Sequence, residues 1–385
     1  MQKLPDDIDI SPILRAIGCD ERGVRIMAAK SRVERYILRD LPCGAANILK
    51  QDALSIGADA AIHRQSVNCG VKSTDVLLLA TRSQLQRIAE KERDQPFGLK
   101  AIAEEITAEI GGFLDAPIAP LFVSPKSVKI MGIININSDS FNPPSRTAPS
   151  DVLARAEKMI AEGADILDIG AVSSRPGSQS VSAAEELARL QPAIDALYAA
   201  KIHEKAVLSL DSYEPIALNY ALDRGFSLIN DITGGRDDRV LALAAQFDAA
   251  LCVMHMKGDP SSMQDDPRYT DVVDEVDRFF AERAARARAF GVRRLILDAG
   301  IGFGKTVGDN LRLINAHGHF LRHGYELLIG ASRKSLIGGA VEDRLGGTIA
   351  LHLKACEYGA SIVRCHDVLE HAQAVKMLTA LITSV

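Results

Sequence analysis

Residues 129–137 read KIMGIININ: an unbroken apolar run, too short for a helix, that ends on Asn135 and Asn137. A run of this kind is what a strand buried on both faces looks like. Working outward along the chain, the pattern returns seven times. DILDIG (165–170), AVLSLDS (206–212), LINDI (228–232), ALCVMH (250–255), LILDAG (295–300), LLIGAS (327–332) and SIVRCHD (361–367) are all short, apolar and polar-ended. Between them lie VLARAEKMIAEG (152–163), VVDEVDRFFAERAARARAFG (272–291) and LGGTIALHLKACEYG (345–359), with the apolar spacing of helices that cover a sheet. Eight strand–helix units in residues 126–385 predict a closed (β/α)8 TIM barrel, with an open doubly wound parallel sheet as the alternative.

The stretch DAPIAPLFVSPK (115–126) carries three prolines and separates two textures, so the domain boundary is placed there. Residues 1–125 read as a small α/β domain of unknown role. Its apolar runs are Tyr36–Leu38 and Val76–Ala80, and its helical segments are ANILKQDALSIGA (46–58) and SQLQRIAEKER (83–93). A net charge of -5 gives no basic footprint for nucleic acid or an anionic membrane, so any anion must be bound locally. The start lacks the pattern of a signal peptide, and no long uncharged apolar run suggests a membrane span, which predicts a soluble, cytoplasmic protein. The six cysteines show no CxxC pairing and read as reduced, mostly buried thiols.

In a barrel of this type the active site lies at the C-terminal strand ends. Those ends carry Asn135 and Asn137, Asp168, Asp211, Asn230 and Asp231, His255, Asp298, Ser332-Arg333-Lys334, and Arg364 with His366. Polar groups at an apolar mouth need partners, which predicts a polar ligand. Asp211, Asn230 and Asp298 suit an edge rich in N–H donors, Lys334 can donate to a ring oxygen or nitrogen, and Arg364 and His366 with Asn135 suit a phosphate-like group.

The motifs MGIININSDSF, DILDIGAVSSRPG, LSLDSY, LINDITGG, VMHMKGDPSSMQ, ILDAGIGFGKT, GASRKS and IVRCHD, in this order from residue 131 to residue 367, resemble those of the dihydropteroate synthases. The resemblance implies a transferase of folate biosynthesis that joins a dihydropterin diphosphate to 4-aminobenzoate. It implies pterin binding by Asp211, Asn230, Asp298 and Lys334, with Met254 and Phe303 as walls. Diphosphate binding falls to Asn135, Arg364 and His366, with Asn135 also a Mg2+ ligand, and the 4-aminobenzoate site to Ser174, Arg175 and Ser335. Lys334, Arg364 and Asp298 are the catalytic candidates. A homodimer and sensitivity to sulfonamides are further implications. Val172 stands where the family commonly has glutamate, Ser174 where it has threonine, and Ala299 where it has proline.

Two rival functions follow from the residues. AGIGFGKT (299–306) fits a relaxed phosphate-loop pattern, which would make the chain an NTPase. A pterin-binding barrel without synthase activity, either a methyl-transfer module or a scaffold, is the other. His317, His319 and His323 in HGHFLRH have metal-like spacing but precede strand seven, away from the mouth. His255 reads as a satisfied histidine at a strand end, and Lys305 as structural.

Overall fold

A computed structural model describes residues 9–111, 128–136, 151–172, 181–258, 263 and 267–383. The chain divides into two compact units, Met1–Asp115 with Leu381–Val385, and Ala116–Ala380.

In the first unit β1 (Val33–Pro42), β2 (Asp59–Ala61) and β3 (Ser73–Thr81) form an antiparallel sheet in the order β1-β3-β2. Along β3, Thr74, Val76, Leu78 and Ala80 are buried while Asp75 and Leu77 are exposed. This period of two leaves one apolar face to be covered. After the short helices α1 (Ser11–Ile17) and α2 (Glu21–Ala28), the cover comes from α3 (Cys43–Ser55), α4 (Arg82–Glu92) and α5 (Leu99–Gly111), whose Leu49, Leu85, Ile88 and Leu99 join the same core. Helix α4 begins where it does because Thr81 and Gln84 form a reciprocal capping box.

The second unit holds the eight runs as parallel strands: β4 (Lys129–Asn135), β5 (Ile166–Gly170), β6 (Val207–Asp211), β7 (Leu228–Asp231), β8 (Ala250–Met254), β9 (Arg294–Asp298), β10 (Glu326–Ile329) and β11 (Ile362–Cys365). They close in sequence order, β11 pairing with β4, so the barrel reading holds and the open sheet does not. Around them lie α6 (Val152–Glu162), α7 (Ala183–Ala199), α8 (Pro215–Leu222), α9 (Asp238–Gln246), α10 (Val272–Ala289), α11 (Val307–Asn315), α12 (Leu345–Glu357) and α13 (Val368–Thr383). On α10 the buried Val276, Phe280, Ala284 and Ala287 recur at helical spacing. Asp271 caps its N-terminus, and Arg286 and Arg288 oppose the dipole at its last turn.

Two apolar layers sort the strand residues by parity. Ile130, Ile134, Leu167, Ile169, Leu208, Ile229, Val253 and Leu297 belong to the core shared with the helices. Met131, Ile166, Leu228, Ala250, Cys252, Ile296, Leu328 and Ile362 form a separate cluster inside the barrel. Side chains two residues apart on a strand share a face. The residues two steps beyond this interior floor are therefore Ile133, Asp168, Asn230, Met254, Asp298 and Arg364, with Asp211 following Ser209 on β6. Register agrees, pairing Ile133 with Asp168, Asp168 with Ser209, Asp211 with Asn230, and Met254 with Asp298. An apolar plug thus carries a polar layer at its C-terminal end.

Candidate active site

At the centre of that layer is Asp168, fully buried. Its Oδ1 accepts a hydrogen bond from Ser209 Oγ at 2.6 Å, and its Oδ2 accepts from Asn230 Nδ2 at 3.0 Å and from Arg364 Nε at 2.6 Å. Arg364 Nη2 donates to Asp211 Oδ2 at 2.7 Å. Burial disfavours the Arg364 cation, but Asp168 and Asp211 outweigh it and hold the guanidinium charged. Burial raises the Asp211 carboxyl above the usual carboxylate range while Arg364 pulls it back. Asp298 is raised in the same way, against Lys334 and the Gly300 N–H that donates to its Oδ1 at 2.8 Å. Three interior carboxylates outnumber the guanidinium, so the layer favours a ligand edge with several N–H donors.

The loop after β9 builds one wall. Gly300 has φ +65°, and a Cβ there would lie 1.9 Å from the His255 carbonyl oxygen, so only glycine fits. The buried Lys305 directs its ammonium at the carbonyls of His255 (3.1 Å), Gly300 (3.0 Å) and Phe303 (2.9 Å). All three N–H bonds have a carbonyl partner, and helix α11 starts only after Thr306, which caps it with Asp309. This is the physical reason the phosphate-loop reading fails: its lysine ties down the loop instead of facing a phosphate. Lys334 donates to the Ile301 carbonyl and lies 4.5 Å above the Phe303 ring. Burial draws its ammonium down to about 8, with Asp298 opposing.

The loops after β10 and β11 brace each other. Ser332 Oγ and His366 Nδ1 are 2.9 Å apart, and Arg333 pairs with Asp367 through Nε at 2.9 Å and Nη2 at 2.5 Å. Behind them a buried chain runs from the Ala331 N–H to His352 Nε2 (2.8 Å), from His352 Nδ1 to His371 Nε2 (2.9 Å), and from His371 Nδ1 to the Asp367 carbonyl (2.6 Å). Because Ala331 can only donate, both histidines are neutral with the proton on Nδ1. Burial lowers both, His352 far below the usual histidine range. Strand-end positions in GASRKS thus divide into Arg333, used for bracing, and Lys334, which faces Phe303.

Of the residues singled out in the sequence, Asp211, Asn230, Asp298, Arg364 and Met254 share the interior layer, and Asn135 ends β4 on the same face. Phe303 and Lys334 flank it. Ser335 is exposed at the start of a short 3-10 turn, Ser335–Ile337. Asn137, Ser174 and Arg175 lie outside the described residues. Two members of the expected ring turn away. Asp231 pairs in register with the outward Val253 and accepts from Thr233 N and Gly235 N, shaping the loop after β7. His255, one step past the inward Met254, packs edge-on against Phe279 of α10 at 5.0 Å, and burial lowers it to about 3. His319 and His323 pair with Asp277 of α10 at 3.4 and 2.8 Å. The sequence reading missed the roles of Asp168 and Ser209; period-two counting in DILDIG and AVLSLDS was the signal that places both beneath the mouth. Among the described residues no group of three His, Cys, Asp or Glu side chains could hold a metal ion.

Comparison with known proteins agrees with this geometry. The model of the pterin binding enzyme family matches residues 131–366. A bifunctional dihydropteroate synthase/dihydropteroate reductase of Helicobacter pylori is 36% identical over 372 residues, covering 96% of this chain and 95% of that one. The dihydropteroate synthase of Yersinia pestis, solved with a sulfonamide drug complex, superposes with a TM-score of 0.64 at 34% identity, over 68% of this chain and 96% of that chain. That of Thermus thermophilus, solved in complex with 4-aminobenzoate, gives 0.61 at 38% identity, over 67% and 96%. The chain belongs to the dihydropteroate synthase family of pterin-binding enzymes.

Proposed function

We infer that this protein is a dihydropteroate synthase, joining (7,8-dihydropterin-6-yl)methyl diphosphate to 4-aminobenzoate and releasing diphosphate and 7,8-dihydropteroate in folate biosynthesis. The observation that carries the reading is the interior layer of Asp168, Asp211, Asn230, Asp298 and Arg364 over an apolar floor, flanked by Lys334 and Phe303. Asp211, Asn230 and Asp298 accept from the N–H edge of the pterin, Lys334 donates to its ring, and Met254 and Phe303 bound its faces. Arg364 gives Nε to the Asp168 carboxylate and Nη2 to that of Asp211, and its remaining N–H donors, together with His366 and Asn135, are the proposed contacts to the diphosphate oxygens.

The electron-rich pterin delocalises positive charge on its methylene carbon as the bond to diphosphate breaks, and the arylamine then attacks. The chain's own contribution is positioning and fixed charge: Arg364 lies where negative charge grows, and the interior carboxylates lie where the ring turns positive. No protein nucleophile is needed. Asn135 would be the protein ligand of a Mg2+ ion that accompanies the diphosphate. When bound the ion neutralises charge on the leaving diphosphate. Ser174, Arg175 and Ser335 are the proposed 4-aminobenzoate contacts, the site is a proposed sulfonamide target, and the protein is proposed to act as a cytoplasmic homodimer. No helix among the described residues is long and apolar enough to cross a membrane.

The test is turnover with dihydropterin diphosphate, 4-aminobenzoate and magnesium, reading diphosphate and dihydropteroate together. Pterin binding without diphosphate release would favour the barrel that lacks synthase activity. A second reading rests on the Helicobacter pylori relative, which aligns along nearly the whole of both chains, the first unit included. It adds reduction of dihydropteroate to this chain. Formation of tetrahydropteroate with a reduced flavin or nicotinamide as hydride donor tests it separately.

A further inference from the structure

The first unit sets two thiols side by side, although no motif marks them. Cys43 opens α3, Cys69 lies in the turn that follows β2, and their sulfurs are 3.2 Å apart across a separation of 26 residues. An approach of roughly 1 Å reaches the ~2.05 Å of a disulfide. Both backbones are held at this spacing. The Cys43 N–H donates to the Lys72 carbonyl at 3.0 Å, the Cys69 N–H to the Ser66 carbonyl at 3.1 Å, and the Gly70 N–H to the Gln65 carbonyl at 2.9 Å.

The two sulfurs differ in access and in bonding. Cys43 is 5% exposed, whereas Cys69 is open to solvent. The single Cys43 S–H is shared between the Ser66 carbonyl at 2.8 Å and Cys69 Sγ at 3.2 Å, and the hydrogen bond to Cys69, followed by burial, raises its pKa. The same carbonyl also accepts from Asn47 Nδ2 at 2.7 Å and from the Cys69 N–H. If the Cys43 proton leaves, two donors still satisfy this oxygen, so oxidation strands no buried acceptor.

We propose that Cys43 and Cys69 form a dithiol site that reacts with small-molecule disulfides, Cys69 receiving the attack product and Cys43 resolving it. The Cys69 thiolate attacks one sulfur of the small disulfide, forming a mixed disulfide and releasing one thiolate, which takes up a proton. Cys43 then gives its proton to the medium and attacks Cys69 Sγ, the Cys43–Cys69 bond forms, and the second small thiol leaves. Two protein thiols are oxidised and one disulfide is reduced to two thiols. A pair with one sulfur open to solvent suits a reversible modification in a reducing compartment better than a permanent crosslink.

The experiment treats the full chain with oxidised glutathione, blocks remaining thiols, and maps the non-reduced digest by mass spectrometry. The wild type should yield a crosslinked peptide joining Cys43 to Cys69, with the other four cysteines blocked. Cys43→Ser should instead accumulate a glutathione adduct at Cys69. A wild-type chain in which Cys69 keeps its adduct, stays unmodified, or pairs with any other cysteine overturns the proposal. The wild-type arm alone decides the matter should the variant fail to fold.

Discussion

Replacing Arg364 by methionine removes the one cation between two interior carboxylates while keeping an unbranched side chain in its place. The side chain of Asp168 is 0% exposed, that of Asp211 16% and that of Arg364 21%, with contacts of 2.6 and 2.7 Å. Breaking a buried pair from one side costs about 3–5 kcal/mol, because the abandoned charge stays desolvated. Burial already raises Asp211, so that carboxyl takes up a proton once Arg364 is gone, which holds the cost near about 3 kcal/mol. Asp168→Asn alone keeps the shape and should cost about 1–2 kcal/mol through weaker hydrogen bonds. The double variant no longer strands the Asp168 charge, so it should be less destabilised than the sum of the two, by roughly 1–2 kcal/mol. Urea unfolding followed by far-ultraviolet circular dichroism reads all four chains. Effects that add to within about 0.5 kcal/mol would refute the claim that Arg364 and Asp168 act as one buried unit.

Three further outcomes follow from individual residues. If Lys334 donates to the pterin as an ammonium, kcat/KM falls as pH rises through about 8, the value to which burial draws it; a flat profile to about pH 9.5 would remove it from ring recognition. Gly300→Ala drives a Cβ into the His255 carbonyl and strains φ +65°, so it should cut kcat/KM by about 10²-fold through the displaced Lys305-tied loop, and wild-type activity would contradict the close approach. Glu92 in α4 is fully buried with neither oxygen hydrogen-bonded among the described residues, and burial, with Asp52 adding, raises it to about 7. Its folded pKa exceeds the unfolded value of 4.5, so the contribution of this group to stability is fully present below about pH 4.5 and is lost as pH rises through about 7. Glu92→Met should raise the melting temperature of that unit more at about pH 8 than at about pH 5, and an equal gain at both would exclude the titration.

Most of the barrel was legible because both faces of each strand are buried, so each run announces itself without help from its neighbours. The polar ring was only half legible. Counting strand ends gathered Asp211, Asn230, Asp298 and Arg364, but also Asp231 and His255, which parity turns towards the helices. The partners were harder to read than the residues. Asp168 meets Arg364 across 196 positions, and His352 meets His371 behind the loop of Lys334, only because the barrel closes and α12 packs beside α13. The same is true of Cys43 and Cys69, whose spacing matches no motif and whose contact depends on how the 63–70 turn meets α3. Local pattern fixes which face a side chain takes, whereas closure decides whom it meets.

The interior polar layer is proposed as the pterin site. Its most direct test is calorimetric binding of a pterin to the wild-type chain, to Asn230→Ala and to Lys334→Ala, with folding checked by circular dichroism. Loss of a charged or buried hydrogen-bonding partner should weaken binding by about 10²-fold or more, from roughly 3 kcal/mol per buried partner removed. Folded variants that bind pterin as tightly as the wild type would contradict the account.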